Sequence, residues 1–329
     1  MRNNNFTFHH FTSEECQSLT FIREGELRLG ETVNLTPHKS TRFIIIGIEE
    51  SVGPRANKGF AGSENAFKAF LKRFLNMQSN RFLNGKAICI LGGIKQTNLE
   101  NLPSNLSKVV EELDQLVSEV ILNNIQQHHT LIIIGGGHNN AYPIIKSLHQ
   151  LRNTKLNVLN LDPHADCRAL EGRHSGNPFS YALEEGHLNS YHVMGLHKAF
   201  NNEFILQFLD SHQCHYSFYD DLISGERSFK EQLNDFINHL KGKDPVGIEL
   251  DMDAIAYSPS SAFTPSGISV EEARRYISSC SKHLNPIYLH LPESAPTNEQ
   301  EKKISGKLLA YLTYDFIINH PINAFELKN

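Results

Sequence analysis

The sequence predicts a single three-layer α/β domain on an eight-stranded, mostly parallel sheet. Two observations carry this expectation. Short apolar runs alternate with longer amphipathic stretches nearly throughout residues 41–329; that order places helices on both faces of a parallel sheet. Three of the apolar runs also end in His or Asp, and open α/β sheets place their sites at the carboxyl ends of buried parallel strands.

Residues 1–40 show little periodicity and read as an extension packed on the domain. The strand candidates that follow are short runs of apolar residues, the signature of strands buried on both faces. They cover 43–48, 87–91, 131–134, 156–161, 191–196, 215–219, 246–251 and 287–291. Helical spacing of apolar residues falls between them, at 64–75, 106–127, 140–151, 202–211, 228–240, 270–283 and 299–318. Ser269 with Glu272, and Thr297 with Gln300, have the spacing of a capping box, in which two side chains and two backbone N–H groups pair reciprocally.

The stretch Asp162-Pro163-His164-Ala165-Asp166 closes the run 156–161. In an extended chain, side chains two residues apart point the same way. An imidazole flanked by two carboxylates suits a divalent cation and fills a core poorly. A solvated loop after a strand reads the same way, so the stretch alone decides little. It has company, however. The run 131–134 leads into Gly135-Gly136-Gly137-His138, whose glycines permit a sharp turn. A third run ends in Asp251-Met252-Asp253, two carboxylates again on one face. The candidate metal ligands are therefore His138, Asp162, His164, Asp166, Asp251 and Asp253. A dinucleotide site is disfavoured, because Asn140 stands where G-x-G-x-x-G requires its third glycine.

Composition narrows the class. A chain of 329 residues buries a large core, and a net charge of −5 gives no reason to expect nucleic acid or anionic membrane as a partner. No apolar run approaches a membrane span, and residues 1–13 lack the apolar core of a signal peptide. Five scattered cysteines without C-x-x-C argue against a disulfide framework or zinc ribbon and fit reduced thiols in the cytoplasm. Most of the 18 histidines lack motif spacing, and His9, His10, His128 and His129 read as surface residues.

Gly136-Gly137-His138, Asp162 to Asp166 and Asp251-Met252-Asp253, in this order and followed by Glu293 after Pro292, resemble the ureohydrolases: arginase, agmatinase and formimidoylglutamase. The resemblance runs from about Ile46 to Ala310. It implies one α/β domain with an eight-stranded parallel sheet and a pair of manganese ions. One ion would take His138, Asp162, Asp166 and Asp251; the other would take Asp162, His164, Asp251 and Asp253. Zinc, iron or nickel also suits such ligands. Implied catalytic roles fall to Asp253 in proton transfer, to Glu293 in holding the amidine nitrogens, and to His174 as proton shuttle, with Ser175 as the other holder of that position. Gly137, Asn139, Ala256 and Glu249 depart from the family pattern, Glu249 replacing a small residue, and none of them removes a ligand.

Arg168 follows the D-x-H-x-D motif by two residues, a pattern that looks like formimidoylglutamase. Its planar fork would pair with a substrate carboxylate, unless it is spent on Glu171. Arg55, Asn57, Ser175 and Gly176 lie in segments that resemble the same enzymes, and the basic, aromatic stretch from Gly195 to Phe200 lies where arginase has an acidic loop. The implied reaction is hydrolysis of a linear amidine, N-formimidoyl-L-glutamate, to L-glutamate and formamide. Alternatives are a ureohydrolase acting on a guanidino acid, a single-metal deacetylase and a catalytically silent metal-binding homologue. The implied partner is a small amino-acid-derived substrate, in a family whose members often form homo-oligomers.

Overall fold

Side-chain alternation divides each buried strand between two apolar layers. Phe43 and Ile45 face one layer while Ile44, Ile46 and Ile48 face the other, and Ile132 and Ile134 are likewise opposed to Leu131 and Ile133. Both faces of the sheet are thus covered, as an extended, mostly parallel sheet requires. The computed structural model describes residues 1–97 and 103–324.

The described residues form nine strands: β1 (Phe6–His10), β2 (Phe43–Glu49), β3 (Ile88–Gln96), β4 (Thr130–Ile134), β5 (Leu156–Leu161), β6 (Leu188–Leu196), β7 (His215–Phe218), β8 (Val246–Leu250) and β9 (Tyr288–Leu291). They form one sheet in the order β1-β3-β2-β4-β9-β8-β5-β6-β7. Every expected strand is present. The ninth is β1, which pairs antiparallel with β3, Phe6 opposite Gln96 and His10 opposite Gly92. Residues 1–40 therefore do more than pack on the domain, because they supply its edge strand.

The seven expected helices are Ala66–Phe74, Leu106–Asn124, Ala141–Arg152, Glu203–Ser211, Phe229–Leu240, Val270–Leu284 and Glu299–Asn319. Ser269 and Glu272 form the expected capping box. The last helix is capped one residue later than expected, by Asn298 with Glu301, while Thr297 also donates to Glu301. The sequence reading passed over the helices Ser13–Leu19 and Pro178–Glu184. The first carries a legible signal, Thr12 and Glu15 in a capping box. His129 is another correction: it is buried, and its Nδ1 accepts the Gln126 N–H.

Candidate metal centre

The strand order brings together what the chain separates. His138 follows β4, Glu293 follows β9, Asp251 and Asp253 follow β8, and Asp162 to Asp166 follow β5. These four strands are consecutive neighbours in the sheet, so their carboxyl ends share one crevice. The turn after β4 rests on backbone freedom: Gly135 and Gly136 have φ of 87° and 72°, open to glycine at little cost. Glu50, buried after β2, secures that turn by accepting N–H groups of Gly53 and Gly137 and the Asn140 amide.

His138 Nδ1 lies 3.1 Å from Asp162, 3.0 Å from Asp166 and 2.9 Å from Asp251. The four groups could hold one metal ion. The second expected group is looser: His164 Nδ1 is 3.6 Å from Asp162 Oδ1 and 3.9 Å from Asp253 Oδ2. All six expected ligands thus meet in one place. Asp162 and Asp251 turn their second oxygens to the backbone N–H groups of His164 and Asp253. Asp166 and Glu293 have φ of 49° and 63°, an uncommon backbone region for residues with a Cβ.

The electrostatics call for a cation. Burial, then Asp253 and Asp162, pushes Asp251 well above the ordinary carboxylate range; burial, then Asp162, raises Asp166. Burial raises Asp253 to about 6, against the pull of His164. Burial disfavours a charged His138, yet Asp162, Asp166, Asp251 and Glu249 outweigh it and hold its pKa well above the usual imidazole range. The same balance lifts His164 to about 10. Positive charge is stabilised wherever the carboxylates converge. Divalent ions would relieve their mutual repulsion, and four carboxylates with two imidazoles and no thiolate suit manganese.

A cavity of about 220 Å3 opens above this cluster. Its floor includes His164, Asp166, Asp251, Asp253 and Glu293; its wall includes Asn57, Lys58, Arg168, Ser175, Gly176, Phe200 and Ser261. Glu293 is buried, accepting the His138 N–H at 2.6 Å and the Ser261 hydroxyl; burial and then Asp253 push it up to about 8. Gly176 lets Arg168 come close, since a Cβ there would stand 2.9 Å from Arg168 Cδ.

Other expected substrate residues stand elsewhere. Arg55 is exposed and is not part of the cavity wall. His174 is buried behind that wall; its Nδ1 accepts the Gly176 N–H, and its Nε2 lies 3.3 Å from Glu171 and 3.0 Å from the Asn177 amide. Burial lowers its pKa to about 4. Ser175, not His174, faces the cavity. Arg168 pairs with Glu171, Nε and Nη2 at 3.2 and 3.1 Å from one carboxylate oxygen. Of the basic, aromatic stretch only Phe200 reaches the cavity, stacked on His164, while Lys198 turns away to Asp221.

Sequence reasoning also passed over several supports. Asn201 accepts the Ala165 N–H and donates to the Pro163 and His197 carbonyls, clamping the D-x-H-x-D segment. Buried Arg173 ties the substrate loop to the ligand turn: it bonds Asp114, Asn177 and the Asn139 carbonyl, packed over the Tyr142 and Tyr181 rings. An R-H-S-G run carries no signal for any of this, because the partners come from distant segments.

A doubly covered α/β sheet with carboxylates and imidazoles converging beyond adjacent strand ends defines a metal-site protein. Comparison makes the class specific: the chain belongs to the Arginase family, whose model matches residues 42–318. A formimidoylglutamase of Geobacillus sp. (strain WCH70) is 28% identical over 311 residues, covering 90% of this chain and 90% of the relative. One from Staphylococcus carnosus is 23% identical over 309 residues, covering 89% and 94%. Among solved structures, Bacillus subtilis formimidoylglutamase superposes with a TM-score of 0.74 at 15% identity, covering 92% of this chain and 95% of that one. Trypanosoma cruzi formiminoglutamase with Mn2+ superposes at 0.73 and 21% identity, covering 89% and 98%. These structural likenesses establish the shared fold.

Proposed function

We propose that this protein is a binuclear-metal hydrolase of N-formimidoyl-L-glutamate, releasing L-glutamate and formamide. One observation carries the reading: the cavity has an acidic floor and a basic rim. A substrate with a cationic amidine at one end and carboxylates at the other fits that polarity, whereas a purely cationic guanidine would meet Arg168 and Lys58 at the mouth. The names of the relatives support the same substrate.

The metals would be two manganese ions, held by His138, Asp162, Asp166 and Asp251 and by Asp162, His164, Asp251 and Asp253. When bound, such a pair supplies a nucleophilic water near neutral pH and stabilises charge at the reacting carbon. The chain does the rest. Glu293, fixed by the His138 N–H and the Ser261 hydroxyl, faces the amidinium and holds it by charge-assisted hydrogen bonds. Asp253 lies beside it in the cavity and would take a proton from the attacking water and pass it to the leaving nitrogen as the C–N bond breaks. Arg168, freed from Glu171, forks onto a carboxylate, and Asn57, Ser175 and Gly176 shape the same wall. His174 positions this loop rather than shuttling protons, since its ring nitrogens are turned to Gly176, Glu171 and Asn177. Product detection on a panel of amidino and guanidino acids tests the reading. Formamide from N-formimidoyl-L-glutamate is the expected product; urea from a guanidino acid at a higher kcat/KM would replace it with the guanidino reading.

A further inference from the structure

His138 offers its Nδ1 to three carboxylates, and its other nitrogen faces a different group. Nε2 stands 3.5 Å from Glu249 Oε2, and the side chains of His138, Glu249 and His290 are all buried. Glu249 lies in the interior of β8, directly across from His290 on β9. A carboxylate in such a place is costly unless it is hydrogen-bonded. Glu249 is: Oε2 lies 2.7 Å from His290 Nδ1, and Oε1 accepts the Tyr288 hydroxyl at 2.8 Å. Among the described residues His138 Nε2 has no hydrogen-bond partner at ordinary length, and Glu249 Oε2 is the carboxylate oxygen that it faces. Its ring is held edge-on by Phe179, at 5.2 Å, and by His290, at 5.9 Å.

We propose that Glu249 is a positioning residue of the metal centre, accepting the Nε2–H of His138. The inference rests on the two-metal reading above. A neutral imidazole carries its proton on one nitrogen only, so the hydrogen bond made by one side decides what the other presents. A proton held at Nε2 leaves the Nδ1 lone pair facing Asp162, Asp166 and Asp251, where an ion needs it. His290 and Tyr288 in turn fix the Glu249 carboxylate, giving a chain from Tyr288 and His290 through Glu249 to His138. Outer partners of this kind raise ligand basicity and lock ring orientation. They are hard to read from sequence here, because residue 249 is one position in an otherwise apolar strand.

Manganese titration of chelator-stripped protein tests this, with thermal unfolding of the metal-free forms alongside. Glu249→Met removes the acceptor at similar volume; Glu249→Gln keeps a neutral oxygen. Glu249→Met should bind one of the two ions about 10- to 100-fold more weakly, and Glu249→Gln should fall between it and the parent. Metal-free Tm should fall in Glu249→Met, because Tyr288 and His290 lose their buried acceptor, and less in Glu249→Gln, so the metal affinity of the folded variants carries the test. Parent-like affinity for both ions in the variants overturns the proposal, as does a lower metal-free Tm with affinity unchanged, which marks a structural role alone. If Glu249→Met does not fold, the Glu249→Gln affinity decides. A parent that binds fewer than two ions would instead sink the two-metal reading.

Discussion

Asp251 Oδ2 lies 2.9 Å from His138 Nδ1, although the two residues follow β8 and β4, strands that are not neighbours. β9 runs between them, so the contact forms above its end, across the crevice. The contact places Asp251 at the centre of the site, with Asp253 and Asp162 close enough to raise its pKa.

Asp251→Asn should weaken both metal sites, because an amide oxygen bridges two cations poorly. Elemental analysis of manganese-saturated protein should find two ions per chain in the parent and fewer than two in the variant, with activity collapsed. The metal-free variant should unfold no earlier than the metal-free parent, since the substitution removes a crowded buried carboxylate. Two tightly held ions in the variant would contradict the bridging role.

The pH dependence follows from the nucleophile. Water at a metal titrates far below bulk water, to about pH 7 in favourable zinc sites, and manganese should leave it higher. The rate should therefore rise from neutral into the alkaline range, up to about tenfold per unit, then level off. A rate that falls over that range while both ions stay bound would exclude this chemistry.

Arg168 gives the substrate test. Its pair with Glu171 is about half exposed on both sides, and such pairs contribute only about 0–1 kcal/mol, so a substrate carboxylate can displace it. Arg168→Ala should lose a charge-assisted pair of roughly 1.5–3 kcal/mol, or about 10- to 150-fold in kcat/KM. Most of the loss should appear in KM, because the carboxylate is remote from the reacting carbon. Arg168→Lys should restore part of it, lacking the fork. Parent-like kinetics in Arg168→Ala would remove the carboxylate role.

Acid sensitivity should come partly from buried histidines far from the site. Burial, then His239 and His215, lowers His192 to about 3; burial lowers His320 to about 4. Both lie below the unfolded value near 6.5, so the unfolded chain binds more protons between about pH 6.5 and 4. Their contribution is complete above that window and is lost as pH falls through it, at about 1.4 kcal/mol per pH unit for each. Denaturant unfolding of the metal-free parent and of the His192→Gln/His320→Gln double variant, at pH 7 and pH 5, checks this. The double variant should lose less stability between the two pH values, and an equal loss would remove these histidines from the account.

The cluster of candidate metal ligands was legible in the sequence because two strong local rules coincide at it. Period-two spacing marks Asp162, His164 and Asp166 as a group, and the buried strand β5 delivers them to the carboxyl end of the sheet. The central strands were legible for the same reason, as apolar runs too short for helices. β1 was passed over because its signal is short: Phe6-Thr7-Phe8-His9 alternates apolar and polar residues as a half-buried strand does, and only the sheet shows that it pairs with β3. The roles of Arg55 and His174 were carried by likeness to other chains; here Arg55 turns to solvent, and hydrogen bonds to Gly176, Glu171 and Asn177 hold His174 behind the wall. Glu249 looked like a substitution for a small residue; its meaning lies in β9 being its neighbour, which sets His290 opposite and Tyr288 within reach. Local rules act over a few residues, where chain geometry alone fixes which side chains share a face. Which strand lies beside which, and so which proton meets which carboxylate, depends on the packing of the whole sheet.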